Sequence, residues 1–263
     1  MAATGRADAQ EREALPEGNA YVRAALTSGP RSQDAAINDY SYDLEELREN
    51  LDKNGVATSH ETRRYEVYFV ATRPVRRLIS RNGAPLSAKE QAEVNRKAAE
   101  LAKDIAAGKT VHEQAGIRLS SLIDTFDFRT ITREDHGGRK TLVFEFVPRK
   151  GSAPKASAGR AADAVAGILT GRVHIDETDR RVVRFEGHTM EGQKASVATG
   201  VKIGFLDLSM EFTPVQERVW LPKKVATVAT GRAFLFKSFR IRSTTTYTNY
   251  RRFKVETEEK PIG

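Results

Sequence analysis

Apolar and polar residues alternate along much of the chain with the two-residue period that is typical of β-strands. The run from Leu206 to Phe212 shows this clearly, because every second residue is large and apolar. Turn sequences such as Asp52-Lys53-Asn54-Gly55 separate successive runs. The pattern predicts roughly nine to eleven strands joined as hairpins, and consecutive hairpins form an antiparallel sheet with one apolar face. A single sheet of that width must curl, because strand twist accumulates.

Three segments carry helical patterning. Pro16–Leu26 begins with a proline, which suits a first helical turn, and Gly29-Pro30 ends it. Ser87–Ala107 opens with a Ser-x-x-Glu capping box, and Gly108 stands where a C-terminal cap belongs. The third predicted helix covers His112–Thr125. We expect these helices to lie inside the curve, against the apolar face of the sheet.

The elements together predict a mainly β (α+β) fold. It is a curved antiparallel half-barrel of about 9–11 strands, with about three helices covering the concave face. Residues 16–255 are expected to form a single domain. Residues 1–15 are expected to be a disordered N-terminal tail, and residues 256–263 a frayed C-terminal tail. Within the domain, the composition of Pro148–Gly159 predicts a flexible loop.

The composition offers no constellation of catalytic residues. The 263 residues include no cysteine, which excludes disulfides, thiol nucleophiles and iron–sulfur clusters. His112-Glu113 lacks the second histidine of a zinc-protease helix, and His174 with Asp176 makes only an incomplete metal site. The sequence also has no nucleophile elbow, P-loop or dinucleotide fingerprint. It therefore predicts a protein that is not an enzyme, with no catalytic residue, no metal and no cofactor.

Charge is unevenly distributed along the chain. Lys and Arg number 43 against 35 Asp and Glu, a net charge of +8. Residues 220–255 contain nine basic residues and no acidic one, whereas the first 60 residues contain six basic and eleven acidic residues. This asymmetry favours an anionic partner for the basic stretch. The candidate residues for that partner are Arg240, Arg242, Arg251 and Arg252.

Several partners would satisfy this basic stretch. Lipid headgroups, nucleic acid and the acidic N-terminal third of the same fold would each do so. Another interpretation is a basic edge hairpin that resists strand-to-strand aggregation. Nucleic acid is not favoured, because the neighbouring aromatic residues are more typical of a core than of a base-stacking platform.

The order of several short motifs resembles a known superfamily. In chain order they are Tyr40-Ser41-Tyr42, Arg63–Val67, Phe126–Phe128, Phe144–Phe146, Gly171–Asp176, Val183–Gly187, Trp220-Leu221-Pro222 and Tyr247–Tyr250. Together they resemble the outer-membrane lipoprotein-sorting superfamily, the LolA/LolB-like proteins, in a bacterial branch with a Trp-Leu-Pro strand. The resemblance extends over roughly residues 16–255.

This resemblance implies a non-catalytic binder or carrier of lipidated or hydrophobic ligands, held in an apolar cavity of the half-barrel. The implied partners are acyl chains, a lipoprotein or another hydrophobic ligand, and no cofactor is used. The implied ligand-binding residues are Tyr65, Val67, Phe69, Leu142, Phe144, Phe146, Leu206, Leu208, Met210 and Phe212. The alternative is a protein-interaction or envelope-stress sensing module on the same scaffold, without lipid transfer.

The resemblance also implies a periplasmic location, with an anionic membrane surface as a further partner. Met1–Glu13 lacks the apolar core of a secretory signal, so this location requires an export signal that has been removed, and a cytoplasmic location stays open. The segment Ser87–Ala107 extends beyond the minimal plan of the family. It could be a lid over the cavity or a plug inside it.

Overall fold

The computed structural model describes residues 14–27, 32–109, 119, 122–150, 165–198, 200–216, 219–233 and 237–253. Its helices are α1 (Gly18–Thr27), α2 (Gln33–Ala36), α3 (Ala88–Ala106) and α4 (Leu122–Thr125), and a 3-10 turn covers Ile37–Asp39. Its strands are β1 (Tyr40–Leu51), β2 (Ala57–Val70), β3 (Arg73–Arg81), β4 (Ala84–Pro85), β5 (Phe126–His136), β6 (Arg139–Pro148), β7 (Leu169–Asp176), β8 (Val182–Thr189), β9 (Ala195–Ala198), β10 (Val201–Gln216), β11 (Val219–Ala233) and β12 (Lys237–Arg252).

All twelve strands of the described residues belong to one open antiparallel sheet. Their order is β4-β3-β2-β1-β12-β11-β10-β8-β7-β6-β5, and β9 pairs with β10 outside this path. The first strand and the last are therefore neighbours in the middle of the sheet. The predicted curved antiparallel half-barrel is confirmed. The strand count exceeds the prediction because very short strands such as β4 and β9 give too little alternation to be recognised.

Strand register divides the side chains of the sheet between two faces. Residues paired across antiparallel strands share a face, and neighbours along a strand point to opposite faces. One face, which we call the apolar face, carries Phe128, Phe146, Val173, Phe185, Met210, Val225, Tyr247, Leu44 and Tyr65 in the order of the strands. The other, which we call the opposite face, carries most of the charged side chains of the strands.

Helix α1 covers the β5 end of the apolar face. Its buried residues Val22, Ala25 and Leu26 follow a helical spacing and join the main hydrophobic core. Gly18 lies so close to β5 that a Cβ there would be 2.3 Å from the carbonyl oxygen of Phe128. The predicted first helix is thus confirmed, and its start is fixed against the sheet by that close approach.

Helix α3 packs on the opposite face, at the β3 end of the sheet. It begins with the predicted capping box at Ser87, and its apolar stripe packs on Val75 and Tyr68. Tyr68 alternates along β2 with Val67 and Phe69, which point to the apolar face. The helix therefore acts neither as a lid nor as a plug for the apolar face. Its apolar stripe buries an outer corner of the sheet instead.

Some predicted segments lie mainly outside the described residues. Of the helix predicted over His112–Thr125, only Leu119 and α4 are described, and of the loop Pro148–Gly159 only the first three residues are described. Most of both predicted tails lies outside as well. Among the helices that the structure describes, none is both long enough and apolar enough to cross a membrane.

Candidate functional site

The residues predicted to bind ligand come from three strands, and the register places all ten on the apolar face. On β2 they are Tyr65, Val67 and Phe69; on β6, Leu142, Phe144 and Phe146; on β10, Leu206, Leu208, Met210 and Phe212. The strands between them, β7, β8, β11, β12 and β1, connect these groups through direct register pairs. The two-residue alternation in the sequence therefore identified residues that share one surface, although they are up to 147 positions apart in the chain.

The β6 residues lie in the closed part of this face. Leu142, Phe144 and Phe146 are fully buried. Tyr21 of α1 stacks on Phe144 with ring centroids 5.5 Å apart, and Phe146 stacks on Phe185 at 4.9 Å. These side chains are occupied by intramolecular packing, so they form core and leave no room for a guest beside them.

The middle and the β2 end of the apolar face are more open. Tyr65, Phe69 and Leu206 are only half-buried, as is Val225 on β11. Leu208, Met210 and Phe212 are buried at 5–9% exposure, at the border with the closed part. Because large apolar side chains stay partly accessible here, this portion of the face can receive an apolar ligand.

A cluster of tyrosines marks the junction of β1 and β12. The ring of Tyr42 lies 5.6 Å from that of Tyr247 and 5.3 Å from that of Tyr250. Residues three apart normally face opposite ways in a strand, but Asn249 has a φ of 54° and the register shifts beside it, which brings both rings to one side. Burial raises the pKa of all three phenols. In the sequence, Tyr42 belongs to one motif, and Tyr247 and Tyr250 belong to another near the opposite end of the chain. The pairing of the first strand with the last brings these motifs together.

An ion pair bounds this open region. Arg76 of β3 and Glu46 of β1 lie on the apolar face, and Arg76 Nη1 donates to Glu46 Oε1 over 2.9 Å. Both side chains are about 30% exposed. The apolar surface thus ends at a polar border, where a ligand with a polar head would meet charged groups.

Two further motifs of the sequence meet in a buried charge network. Arg139 donates from Nε to Asp176 Oδ2 over 2.5 Å and from Nη2 to Asp179 Oδ2 over 2.6 Å. The indole Nε1–H of Trp220 donates to the same Asp179 oxygen over 2.9 Å. Asp176 also accepts the backbone N–H groups of Thr178 and Asp179, so it closes the turn between β7 and β8. The Asp and Trp motifs are therefore structural here, since they tie this turn to β11.

The four arginines predicted to meet an anionic partner fall into different settings. Arg242 pairs with Glu49 of β1 at 3.3 Å, and Arg251 pairs with Asp43 at 3.1 Å. Part of the basic stretch is thus neutralised by the acidic N-terminal segment, one of the partners considered from the sequence. Arg252 is exposed at the end of β12. Arg240 lies in a cavity at the other end of the strand.

That cavity was not foreseen from the sequence. It has a volume of about 680 Å³. It lies beside the β1–β2 turn, next to the start of β10, the end of β11 and the start of β12. Its lining residues are Leu51, Asp52, Lys53, Lys194, Lys202, Gly204, Thr230, Gly231, Arg232, Ser238, Phe239 and Arg240. Two of its cations, Arg232 and Arg240, belong to residues 220–255, the stretch without acidic residues. Its three lysines lie outside that stretch.

No family model matches this chain, and no curated protein matches it. Solved structures do match its fold. A domain described as an outer membrane lipoprotein-sorting protein, from Vibrio parahaemolyticus, is 13% identical, with 92% of this chain and 94% of that one covered and a TM-score of 0.42. A LolA superfamily protein from Nitrosomonas europaea is 7% identical, with 92% and 96% covered and a TM-score of 0.38. The Pseudomonas aeruginosa MucA/MucB complex contains a chain that is 10% identical, with 90% and 99% covered and a TM-score of 0.27. The first two of these structures are described by name as a lipoprotein-sorting protein domain and as a LolA superfamily protein.

Proposed function

We propose that the protein binds lipidated or other hydrophobic molecules on its apolar face, and that it does so without catalysis. The observation that carries this proposal is the half-buried portion of that face, where Tyr65, Phe69 and Leu206 remain partly accessible, whereas Leu142, Phe144 and Phe146 on the same face are buried. Apolar side chains in a packed core are normally fully enclosed. A partly open apolar surface therefore points to a ligand.

The expected ligand is an acyl chain or a molecule that carries one. Each methylene group that leaves water contributes about 0.8 kcal/mol, so a chain of ordinary length can bind without any specific polar contact. The Arg76–Glu46 pair at the border would lie near a polar head. The position of α3 on the opposite face supports this arrangement, because the helix leaves the open part of the apolar face uncovered.

The sequence motifs add the biological setting of the proposal. Their resemblance to lipoprotein-sorting proteins favours a periplasmic binder or carrier, with a lipoprotein or another lipidated molecule as cargo and an anionic membrane surface as a further partner. The proposed role needs no cofactor and no covalent step. The interaction or sensing alternative loses part of its motivation, since Glu49 and Asp43 already neutralise two of the arginines that suggested an external partner.

The decisive experiment uses adjacent residues on β10. The purified chain is titrated with the neutral fluorescent probe N-phenylnaphthylamine, and a second sample is extracted with organic solvent for mass spectrometry. Leu206→Asp places a charge on the apolar face, whereas Phe205→Asp makes the same change at an exposed residue of the opposite face. We expect Leu206→Asp to weaken probe binding at least about tenfold and Phe205→Asp to change it by less than about twofold, because only the first charge must be desolvated by the ligand.

Thermal melts followed by circular dichroism show whether each variant is folded, and Tyr65→Asp tests a second strand of the same face. Equal losses in the Leu206 and Phe205 variants would contradict the assignment of the face. A chain that yields no lipid, binds no probe and instead retains one specific protein from an envelope extract would favour the interaction or sensing module.

A further inference from the structure

We propose that the cavity beside the β1–β2 turn is a binding site for a phosphate-bearing ligand. Its volume of about 680 Å³ is in the range of small-molecule sites, which is about 300–1,000 Å³. Five residues with cationic side chains line it: Lys53, Lys194, Lys202, Arg232 and Arg240. The lining therefore selects an anion.

The excess of positive charge in the cavity is not offset locally. Asp52 is the only carboxylate among the described lining residues, and one of its oxygens accepts the backbone N–H groups of Asn54 and Val56 over 2.8 and 2.9 Å. Within the described part of the chain, none of the five cations forms an ion pair. Five positive charges against one negative charge favour a ligand that carries more than one negative charge.

Strand register places two of these cations opposite each other, where their repulsion destabilises the sheet. Lys202 of β10 is directly opposite Arg232 of β11, and like charges in that position destabilise a sheet. Arg240 is opposite Thr230, two residues along β11 and on the same face as Arg232. On the same strand, Arg242 has Glu49 as its counter-charge. An anion in the cavity would remove the repulsion that the sheet leaves unopposed here.

The rest of the lining suits a phosphate group. Arginine offers a fork of N–H donors that matches phosphate oxygens, and lysine contributes point charges. Gly204 exposes backbone to the cavity, and a Cβ added there would meet no atom closer than 3.8 Å. Gly231 is different, because a Cβ there would be 2.2 Å from the carbonyl oxygen of Lys202. Of these two glycines, close packing therefore requires only Gly231. The absence of a side chain at Gly204 leaves space in which a ligand could contact the backbone.

This site is separate from the proposed hydrophobic site. The register places Lys202, Arg232 and Arg240 on the opposite face of the sheet, whereas the hydrophobic site is on the apolar face. The two proposals can therefore fail independently. A phosphate group could be that of free inorganic phosphate or that of a phospholipid head, and the experiment distinguishes these sources.

The test measures binding of inorganic phosphate by calorimetry and binding of phosphatidylglycerol vesicles by co-sedimentation, with phosphatidylcholine vesicles as the uncharged reference. One pocket variant combines Lys202→Glu with Arg232→Glu, and a second, Gly204→Leu, fills the cavity without changing its charge. The control combines Lys223→Glu with Lys89→Glu, which alters net charge equally at exposed residues outside the cavity. We expect the charge-reversal variant to weaken binding at least about tenfold, the loss that follows from removing one charge-assisted hydrogen bond. Gly204→Leu should weaken binding by a similar factor because its side chain occupies the ligand's volume, and the control should stay within about twofold.

Each outcome bears on the proposal. Loss of phosphate binding in both pocket variants supports the site, and a parallel loss of vesicle binding identifies the lipid head as its source. Vesicle binding that Gly204→Leu removes, without measurable phosphate binding, also supports a headgroup site. The proposal would be overturned if the protein bound neither inorganic phosphate nor phosphatidylglycerol vesicles. It would also be overturned if the control variant lost as much binding as the pocket variants, since that result would reflect net charge alone.

Discussion

Replacing Arg139 with methionine tests how much the buried network between β6, β7 and β11 contributes to stability. The side chain of Asp176 is 1% exposed and that of Asp179 is 11% exposed, while Arg139 itself is 40% exposed. Removing one partner of a buried ion pair costs about 3–5 kcal/mol. Asp176 keeps its two backbone N–H donors and Arg139 is partly hydrated, so we expect a loss near the lower limit, about 3 kcal/mol at neutral pH.

Arg129→Met is the matched control for this variant. Arg129 pairs with Glu145 at 2.6 Å, but the two side chains are 76% and 43% exposed. Exposed pairs of this kind contribute about 0–1 kcal/mol, so the same substitution should cost at least about 2 kcal/mol less here. The free energy of unfolding is measured by urea titration with far-ultraviolet circular dichroism, because the single tryptophan lies inside the network.

The loss in Arg139→Met should also depend on pH. Burial raises the pKa of Asp176, but the hydrogen bonds that it accepts from Arg139 and from the turn backbone lower the pKa by more than burial raises it. The pKa of Asp176 in the folded protein is therefore below its usual value. A carboxyl group with a lowered folded pKa stabilises the protein above its unfolded pKa, about 3.9, and that contribution is lost on acidification. Without Arg139 the folded pKa rises, and protonation then relieves the penalty. The difference between wild type and variant should therefore shrink from pH 7 to pH 4.

Two results would refute this reasoning. The first is an equal loss of stability in Arg139→Met and Arg129→Met at neutral pH. The second is a loss in Arg139→Met that stays constant as the pH is lowered, since that would show that the charge of Asp176 is not the source of the penalty.

Two other predictions follow from close packing and from burial. Gly171→Ala should lower the melting temperature strongly, because its Cβ would be 1.9 Å from the carbonyl oxygen of Glu186, whereas Gly204→Ala should melt like wild type; similar melts for the two variants would show that the sheet can yield at residue 171. Burial raises the pKa of Tyr42 and of Tyr250 well above the usual tyrosine value of about 10, so these phenols should ionise only on unfolding, and stability should fall as the pH rises through about 10. Ultraviolet absorbance would follow this titration, and ionisation of every tyrosine in the folded state near pH 10 would contradict it.

Local signals in the sequence were enough to predict the strands and the face that they share. Alternation from Leu206 to Phe212 identified side chains that do lie together, and the capping box at Ser87 located the start of α3. The side of the sheet on which α3 packs could not be predicted. An amphipathic stripe shows which face of a helix is buried, but not which surface buries it.

The basic cavity escaped prediction for a different reason. Lys53, Lys194 and Arg232 belong to three segments far apart in the chain, and they come together only because β1 pairs with β12, β12 with β11, β11 with β10 and β10 with β9. Register also decides which charges cancel. The sequence shows an acidic start and a basic end, but the contact of Arg242 with Glu49 and the isolation of Arg240 depend on which residues stand opposite each other.

The central position of β12 constrains the order in which the molecule can be completed. Until the last strand leaves the ribosome, β1 to β4 and β5 to β11 can form only as two separate sheets, in which β1 and β11 each lack the partner that β12 later supplies on one side. Such open edges are templates for intermolecular pairing. A nascent chain, or a product truncated before Lys237, would therefore expose both edges at once, and a holding chaperone would find its target there.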